Sequence, residues 1–243
     1  MSAATGAGEA GLELELFARA VNWKRYWASV LRPYLGRRVL EVGAGIGEST
    51  RALCDGGAGS WLCLEPETAL AARIEAKLHE GTLPACCTLR VGTLQDLEPG
   101  ERFDTIFYID VLEHIEDDTS EVAAAAARLE EGGHLCVLVP AHQQLFSEFD
   151  RMIGHHRRYD RASLDAVVGG RLERVMLRYL DSVGYLANLA NRMLLRQSLP
   201  SEAQILFWDR VMVRASRVLD PLLLHRCGRS LLGVWRKRSG SAA

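Results

Sequence analysis

The feature that most constrains this sequence is a glycine-rich segment, residues 39–50, which reads VLEVGAGIGEST. A short apolar run is followed by three glycines at alternate positions, Gly43, Gly45 and Gly47, and then by residues that begin a helical pattern. Glycine allows backbone dihedrals that other residues rarely adopt, and it lets the chain approach a ligand closely. The segment therefore predicts a strand, a tight turn and the start of a helix at a binding site.

The spacing of the glycines distinguishes two kinds of binding loop. A dinucleotide site requires G-x-G-x-x-G, whereas here Glu48 stands where the third glycine would fall, which argues against NAD. The pattern E-x-G-x-G-x-G resembles motif I of the class I S-adenosylmethionine-dependent methyltransferases. A glycine-rich turn between any strand and helix is the alternative that one motif leaves open. The residues that the resemblance assigns to the methionine part of S-adenosylmethionine are Glu41, Gly43, Ala44, Gly45 and Gly47.

Two further segments resemble the same family in the expected order. The second apolar run ends in Glu65, about 20 residues after the loop, where a carboxylate can bind both ribose hydroxyls. Pro66 offers the alternative that Glu65 is a charge at a helix N-terminus. Residues 91–96 resemble the adenine-binding loop, which assigns Thr93 and Leu94 to adenine. Because many members carry an acid where Thr93 stands, a plain surface turn is the alternative.

Residues 103–115, FDTIFYIDVLEHI, resemble the central strand of the family and the turn after it. Asp110 ends this strand at the edge where open α/β sheets bind ligands, so it is expected to contact the methionine ammonium or the acceptor. His114 is a candidate base, although a histidine in an apolar turn is commonly structural. Methyl transfer depends chiefly on alignment and exclusion of water, and a base is needed only for a protonated nucleophile. His142, after the fifth strand, is the first candidate for that base, followed by Asp110, His114, His155 and His156.

Helical and strand patterns alternate along the chain, which predicts an α/β, Rossmann-like, doubly wound fold. The expected sheet has seven strands, mostly parallel, with an antiparallel last strand. The strands are predicted near residues 37–42, 60–65, 86–91, 103–109, 133–139, 171–178 and 230–236. The predicted parts are a disordered tail over 1–11, a cofactor-binding core with an N-terminal helix over 12–180, a helical cap inserted over 181–228, and the last strand over 229–238.

The N-terminal helix and the cap each supply candidate ligand contacts. In related enzymes such a helix closes over the cofactor, which makes Tyr26 a candidate to reach its carboxylate. In the cap, Tyr185 and Trp208 are candidates to line the acceptor pocket. Ordinary core packing is the alternative for all three residues. The cap also contains an amphipathic basic helix that would suit a membrane surface.

Charge is distributed unevenly between the two parts of the chain. Residues 1–150 contain 12 Lys and Arg against 24 Asp and Glu, a net charge of −12, whereas residues 151–243 contain 17 against 7, a net charge of +10. The basic part would attract an anionic acceptor or an anionic membrane. The candidate donors to a carboxylate or phosphate are His155, His156, Arg157 and Arg158. The alternative is that this loop packs onto the acidic part of the same chain.

Cysteine spacing and hydropathy indicate the compartment. The six cysteines include no C-x-x-C pair, which predicts reduced core residues in a cytoplasmic protein and no metal site. The sequence has neither an apolar signal stretch nor a run of about 18 apolar residues, which predicts neither export nor a spanning helix.

Asp118 and Glu121 have the spacing of a helix capping box, which predicts the start of a helix there.

Taken together, these features predict a methyltransferase that uses S-adenosylmethionine and acts on a small anionic or amphipathic acceptor. Peripheral membrane contact is an option, and no nucleic-acid-binding motif is present. Two alternatives remain. One is a C-methyltransferase of a prenyl diphosphate assisted by Mg²⁺, and the other is a non-catalytic scaffold that binds S-adenosylmethionine.

Overall fold

A computed structural model describes residues 14–194, except residue 16, and residues 201–239. The predicted tail over 1–11 lies outside these residues. The strands are β1 (Arg38–Val42), β2 (Ser60–Glu65), β3 (Cys87–Val91), β4 (Phe103–Ile109), β5 (Leu129–Pro140), β6 (Glu173–Leu180) and β7 (Ser230–Arg236). The α-helices are α1 (Val21–Leu31), α2 (Glu48–Leu53), α3 (Thr68–His79), α4 (Asp118–Arg128), α5 (Glu148–Met152), α6 (Arg161–Val168), α7 (Ser182–Leu194), α8 (Glu202–Phe207) and α9 (Val213–Leu222).

The seven strands form one sheet in the order β3-β2-β1-β4-β5-β7-β6. The first five strands are mutually parallel, and β7 runs antiparallel to both β5 and β6. This arrangement confirms the predicted fold class. Strand β5 begins at Leu129, earlier than the predicted residue 133, because it follows α4 directly and its pairing with β4 shifts between Phe103 and Thr105.

Both faces of the sheet are covered, which explains why the strand sequences are apolar without strict alternation. On one face Trp61 and Phe107 stack at a centroid distance of 5.7 Å beneath α1 and α2. On the other face Ile106 and Tyr108 pack against α4 and α6.

Helix α4 is capped by Asp117, whose Oδ1 accepts from Ser120 N at 3.0 Å, so the capping residue is one position earlier than predicted.

The interval predicted as a cap contains α7, α8, a π-helical turn over Trp208–Met212, and α9, all between β6 and β7. Buried carboxylates fasten these helices to the core. Tyr26 Oη donates to Asp220 Oδ2 at 2.8 Å, and Trp208 Nε1 donates to Asp181 Oδ2 at 2.7 Å. Asp209 accepts from the backbone N–H of Trp23 at 2.8 Å. Among the described helices, none combines the length and apolar character needed to cross a bilayer.

Candidate active site

A cavity of about 220 Å³ lies at the edge of the sheet where β1, β4 and β5 end. Its walls are the loop after β1, the turn after β4, the end of β5, the start of β7, and α1 with the residues before it. The chain crosses from one side of the sheet to the other between the neighbouring strands β1 and β4. Ligands of open α/β sheets bind at such a switch point, outside the carboxyl ends of the strands.

Gly43, Ala44 and Gly45 form one wall of the cavity. Gly43 and Gly45 have φ angles of 66° and 58°, which side chains disfavour. A Cβ atom at Gly43 would also come within 2.7 Å of Val111 Cγ2. The N–H groups of Gly43 and Ala44 donate to Leu64 O at 2.8 and 3.1 Å, which ties the loop to β2. The loop therefore presents backbone to the cavity, as its sequence predicts.

Glu41 and Gly47 support this loop from behind, and neither lines the cavity. Gly47 precedes α2 with φ at 78°. Glu41 is 1% exposed, and its Oε2 accepts from Thr50 Oγ1 at 2.7 Å and from Trp61 Nε1 at 2.9 Å. Burial raises the pKa of Glu41. The expectation that both residues touch the cofactor is corrected here, since their contacts hold the loop in shape.

Glu65 ends β2 beside the glycine loop. Its Oε2 accepts from Gly45 N at 2.7 Å, and its Oε1 accepts from Glu67 N at 3.0 Å. Burial raises the pKa of this carboxyl group, and the two backbone donors partly oppose that effect. Each oxygen still has acceptor capacity, since a carboxylate offers about four lone-pair sites. Binding of ribose by Glu65 stays a prediction.

Thr93 and Leu94, the two candidates for adenine, follow β3. Thr93 N and Thr93 Oγ1 donate to Asp96 Oδ2 at 2.7 and 2.8 Å, which closes an exposed turn. Leu94 is 1% exposed and packs in the core. The Leu94 side chain is thus corrected from a ligand contact to a core residue, while a contact by Thr93 stays a prediction.

Asp110 and His114 reach the cavity from the turn after β4. Asp110 has a φ of 54°, and its N–H donates to Leu138 O at 2.8 Å. Its surroundings raise its pKa to about 6 by desolvation, although His155, Arg229 and Lys24 act in the opposite direction. Desolvation and then the charge of His155 lower the pKa of His114 to about 4. At neutral pH the structure therefore offers an ionised Asp110 and a neutral His114.

The segment after α5 contributes an ion-pair network to the cavity wall. Asp150 is 1% exposed, and Arg158 holds it in a fork, with Nε at 2.8 Å from Oδ1 and Nη2 at 3.0 Å from Oδ2. His155 Nδ1 lies 3.1 Å from Asp150 Oδ1, and Ser147 also donates to this carboxylate. Burial alone would raise the pKa of Asp150, but hydrogen bonds from His155 and Arg158 hold it well below its usual range. His155 and Arg158 therefore reach the cavity as part of a compensated network.

The other two members of the predicted anion site do not line the cavity. Arg157 Nη1 lies 2.7 Å from Asp118 Oδ2, and its Nη2 donates to Glu116 O at 2.8 Å. His156 is exposed on the surface, and its N–H donates to Glu113 O. The prediction that His156 and Arg157 bind the acceptor is corrected, because Arg157 instead joins the basic loop to the acidic start of α4.

His142 and Tyr185 form a separate aromatic cluster outside the cavity lining. The His142 ring stacks on Tyr179 at 4.8 Å and lies 4.6 Å from the ring of Tyr185. Burial lowers the pKa of His142. Neither His142 nor Tyr185 lines the cavity, so the roles of His142 as base and of Tyr185 as acceptor contact stay predictions that the cavity does not support.

Tyr26 and Trp208 are likewise absent from the cavity lining, because their polar atoms bind the buried carboxylates that fasten the cap. The predicted contact of Tyr26 with the cofactor is therefore corrected to a contact with Asp220. Trp208 does act on the cavity indirectly, since its ring lies 4.5 Å beneath the guanidinium of Arg229.

Sequence reasoning missed two cations of the cavity wall, Lys24 and Arg229. Lys24 Nζ donates to the carbonyls of Phe17 and Ala18, and burial lowers its pKa to about 8. Burial also lowers the pKa of Arg229, and among the described residues no carboxylate lies within ion-pair distance of it. The position of Arg229 at this edge of the sheet could have been predicted from the sequence. It directly precedes the antiparallel β7, whose start lies at the same edge as the ends of the parallel strands.

Comparison with known proteins supports the family resemblance. Residues 40–135 match the model of a methyltransferase domain family. A ubiquinone biosynthesis O-methyltransferase of Paramagnetospirillum magneticum is 32% identical over 105 residues, which cover 43% of this chain and 41% of the relative. The chain thus matches about two fifths of that relative's length.

Solved structures show the same fold at low identity. A geranyl diphosphate methyltransferase in complex with S-adenosylmethionine superposes with a TM-score of 0.61 at 15% identity, covering 88% of this chain and 85% of that one. The [4+2]-cyclase SpnF superposes with a TM-score of 0.62 at 14% identity, covering 95% of each chain. Fold alone therefore does not settle activity. The matched domain, the glycine loop and the sheet order together support the resemblance of this chain to the class I S-adenosylmethionine-dependent methyltransferase superfamily.

Proposed function

We propose that this chain transfers a methyl group from S-adenosylmethionine to a small acceptor that carries an anionic group. The observation that carries the proposal is the composition of one cavity. The glycine loop and Asp110 form one part of its wall, and Arg229, a half-buried cation without a carboxylate within ion-pair distance among the described residues, forms another. The first part suits the cofactor, and the second suits an anion.

The residues present fit S-adenosylmethionine. Gly43 to Gly45 leave room for a ligand to approach the backbone, since the wall there has no side chain larger than a methyl group. Asp110 offers a carboxylate to the ammonium of the methionine part. Glu65, held in place by Gly45 N–H, offers acceptor oxygens to the ribose hydroxyls. Lys24 offers a cation for the carboxylate of the cofactor.

When bound, the cofactor supplies a methyl group that is already activated by a positively charged sulfur. The chain then has to align the acceptor and exclude water. Trp23, Trp27 and Phe149 supply apolar wall around the cavity. Asp110 and Arg229 can fix the two ligands by charge-assisted contacts, which are directional and stronger than neutral hydrogen bonds.

A protonated nucleophile would also need a base, and His114 is placed to act as one. It lines the cavity, and its lowered pKa keeps the imidazole neutral above about pH 5. The ring of His155 lies 4.5 Å from that of His114 in an edge-to-face arrangement. His155 is in turn fixed by Asp150, so it positions the His114 ring.

The acceptor class rests on Arg229. Arg158 also lines the cavity, but Asp150 already compensates its charge. Arg229 instead stacks on Trp208, which orients the guanidinium without neutralising it. Asp181, Asp110 and Asp150 act on this guanidinium only at longer range, so a carboxylate, phenolate or phosphate on the acceptor would be its first direct ion-pair partner among the described residues. A prenyl diphosphate, the acceptor of the alternative function, is also such an anion.

The Mg²⁺-assisted alternative is less well supported by the side chains. Glu113, His114 and His155 have ligand atoms within 4.8 Å of one another in the cavity wall. Two imidazoles and one carboxylate suit zinc or iron better than Mg²⁺, which prefers oxygen ligands. Dependence of turnover on Mg²⁺ and on a diphosphate acceptor would favour this alternative.

The proposal is tested with methyl-labelled S-adenosylmethionine and a small-molecule extract, with labelled products identified by mass spectrometry. We expect one or more labelled products that derive from acidic acceptors. Arg229→Gln should lower kcat/KM for such an acceptor by about 10²-fold, because a charge-assisted contact is worth about 2–3 kcal/mol. The dissociation constant of S-adenosylmethionine should change little.

Arg226→Gln is the matched control, since Arg226 is exposed and lies three residues before Arg229. It should leave kcat/KM unchanged. If Arg229→Gln instead weakens cofactor binding and leaves acceptor selectivity intact, Arg229 binds the cofactor and the anionic-acceptor proposal fails. Cofactor binding without transfer of label to any compound would favour the scaffold alternative.

Peripheral membrane contact also enters the proposal, through the outer surface of the cap. Val218, Leu222 and Leu224 are 65%, 73% and 66% exposed at the end of the cap. Arg210 and Arg214 are exposed nearby on the same helical segment. Apolar side chains beside arginines suit a surface of anionic lipid, where an amphipathic acceptor would be found.

A further inference from the structure

Three cysteines meet at a place that the proposed function does not use. Cys54 directly follows α2, and Cys86 and Cys87 stand at the start of β3. The Cys54 Sγ atom lies 3.5 Å from Cys86 Sγ and 3.6 Å from Cys87 Sγ, and all three sulfur atoms lie within 4.8 Å of one another. None of the three lines the cavity of the candidate active site.

We propose that Cys54, Cys86 and Cys87 bind one thiophilic divalent cation, for which Zn²⁺ is the reference ion. Zinc binds thiolate sulfur at about 2.3 Å in a tetrahedral arrangement, which places two sulfur ligands about 3.8 Å apart. The two shorter sulfur–sulfur distances are within a few tenths of an ångström of that separation. A small adjustment of side chains therefore brings all three sulfur atoms into one coordination sphere.

The chemistry of the donor set selects the class of ion. Three sulfur donors favour soft or borderline ions such as Zn²⁺ over Mg²⁺ or Ca²⁺. Each thiol that binds releases its proton to solvent, so binding strengthens as pH rises. Cys86 is half-buried, whereas Cys54 and Cys87 are buried, so the ion enters past Cys86 and takes water as its fourth ligand.

The position of the site gives it a structural consequence. Helix α2 begins at the glycine loop and ends at Leu53, directly before Cys54. The Cys86 carbonyl accepts from Trp61 N at 2.8 Å, which anchors the start of β3 to β2. An ion held by Cys54, Cys86 and Cys87 would therefore fasten the far end of α2 to the sheet and stabilise the folded chain. The alternative is that the three thiols are ordinary core residues.

Protection from alkylation tests the site on the unmodified sequence. The untagged, reduced protein is treated with iodoacetamide under anaerobic conditions, with and without one equivalent of Zn²⁺, and modified cysteines are mapped by mass spectrometry. We expect Zn²⁺ to slow modification of Cys86 at least about 10-fold. Cys227 is the matched control, because it is also half-buried and lies outside the cluster. Equal modification of Cys86 with and without Zn²⁺ overturns the proposal.

Binding stoichiometry provides a second measurement. We expect one Zn²⁺ per chain after dialysis, and a Cd²⁺ form with thiolate charge-transfer absorption. Cys86→Ser should weaken Zn²⁺ binding at least about 10-fold, as loss of one ligand implies, while Cys227→Ser should leave it unchanged. Unchanged affinity in Cys86→Ser, or less than a tenth of an equivalent bound to the unmodified protein, contradicts the proposal even if the variants differ in stability.

Discussion

At the scale of single residues, the site is decided by which side chains reach the cavity, and sequence spacing predicts this only in part. The glycine loop and Asp110 were predictable, because the end of a parallel strand fixes where they lie. The orientation of the Arg157 side chain was not predictable, because it depends on Asp118. That residue lies about 40 positions earlier, and only the fold brings it near. Arg229 was missed although its place directly before β7 was predictable, and only its contact with Trp208 of the cap depends on the fold.

Asp110 gives a prediction about pH. Its folded pKa of about 6 lies above its ordinary value, so ionisation costs stability in the folded state. The contribution of Asp110 to the stability of the unliganded protein should therefore fall as pH rises from about 4 to about 6, whereas the contribution of His114 rises over the same range. Asp110→Asn removes this cost, and asparagine also tolerates the positive φ of this position. We expect a higher Tm than the unmodified protein at pH 7.5 and no difference at pH 4.

The same variant should weaken binding of S-adenosylmethionine, because the ammonium loses its carboxylate partner. Isothermal titration calorimetry at pH 7.5 measures this loss, which we expect to be about 10-fold or more. Asp160→Asn is a control, since Asp160 caps α6 on the surface. A variant that loses stability at pH 7.5 and keeps full cofactor affinity would refute both roles of Asp110.

At the scale of elements, the segment after α5 mainly stabilises the fold, since its arginines form ion pairs with Asp150 and Asp118. Arg158→Ala would leave the carboxylate of Asp150 buried with fewer donors, which should lower the free energy of unfolding by about 3 kcal/mol. Arg157→Ala removes a more exposed ion pair and should cost about 1 kcal/mol or less. Urea unfolding of both variants at pH 7 measures the difference.

The pH dependence of this ion pair follows from the direction in which the pKa of Asp150 is shifted. The pKa of Asp150 is held below its ordinary value, so its stabilising contribution is present above about pH 4 and is lost as pH falls further. Equal costs for Arg157→Ala and Arg158→Ala at pH 7 would show that Asp150 does not depend on the arginine fork.

The outer surface of the cap gives a second prediction at this scale. The double variant Val218→Glu with Leu222→Glu should bind vesicles that contain anionic lipid at least about 10-fold more weakly than the unmodified protein, because it loses two exposed apolar side chains and gains negative charge. Co-sedimentation with anionic and with neutral vesicles, at low and high salt, measures this. Val175→Glu, on β6, is the control. Equal binding by all three proteins would remove the membrane from the proposed function.

At the scale of the whole molecule, the fold was the most predictable property. Six of the seven strands begin within two residues of their predicted starts, because parallel strands covered on both faces are continuous apolar runs. The charge asymmetry was less informative than its size suggested. Arg158 with Asp150 and Arg157 with Asp118 join the basic and acidic parts internally, so part of that charge is compensated within the chain. The cap is fastened through buried acids, Asp181, Asp209 and Asp220, whose partners no local pattern shows.

The glycine spacing gives the broadest prediction, which concerns the whole fold and its cofactor. A ligand that binds the folded state alone stabilises it by about 2.7 kcal/mol at 100 times its dissociation constant. For a chain of this length that corresponds to a rise in Tm of about 5–10 °C. We expect S-adenosylmethionine and its demethylated product to produce such a shift, and NAD at the same concentration to produce none.

Glu65→Gln separates cofactor recognition from general stabilisation. Glutamine keeps the size of the side chain and one oxygen that can accept from Gly45 N, but it loses the acceptor for Glu67 N and the charge that binds two ribose hydroxyls. The variant should fold normally and lose most of the shift produced by S-adenosylmethionine, since the affinity should fall by about 2–3 kcal/mol. Thermal unfolding of both proteins with each ligand gives the comparison. A Tm shift with NAD and none with S-adenosylmethionine would contradict the proposed function. An equal Tm shift in Glu65→Gln and the unmodified protein would show that Glu65 does not bind the ribose, and it would not affect the other assignments in the site.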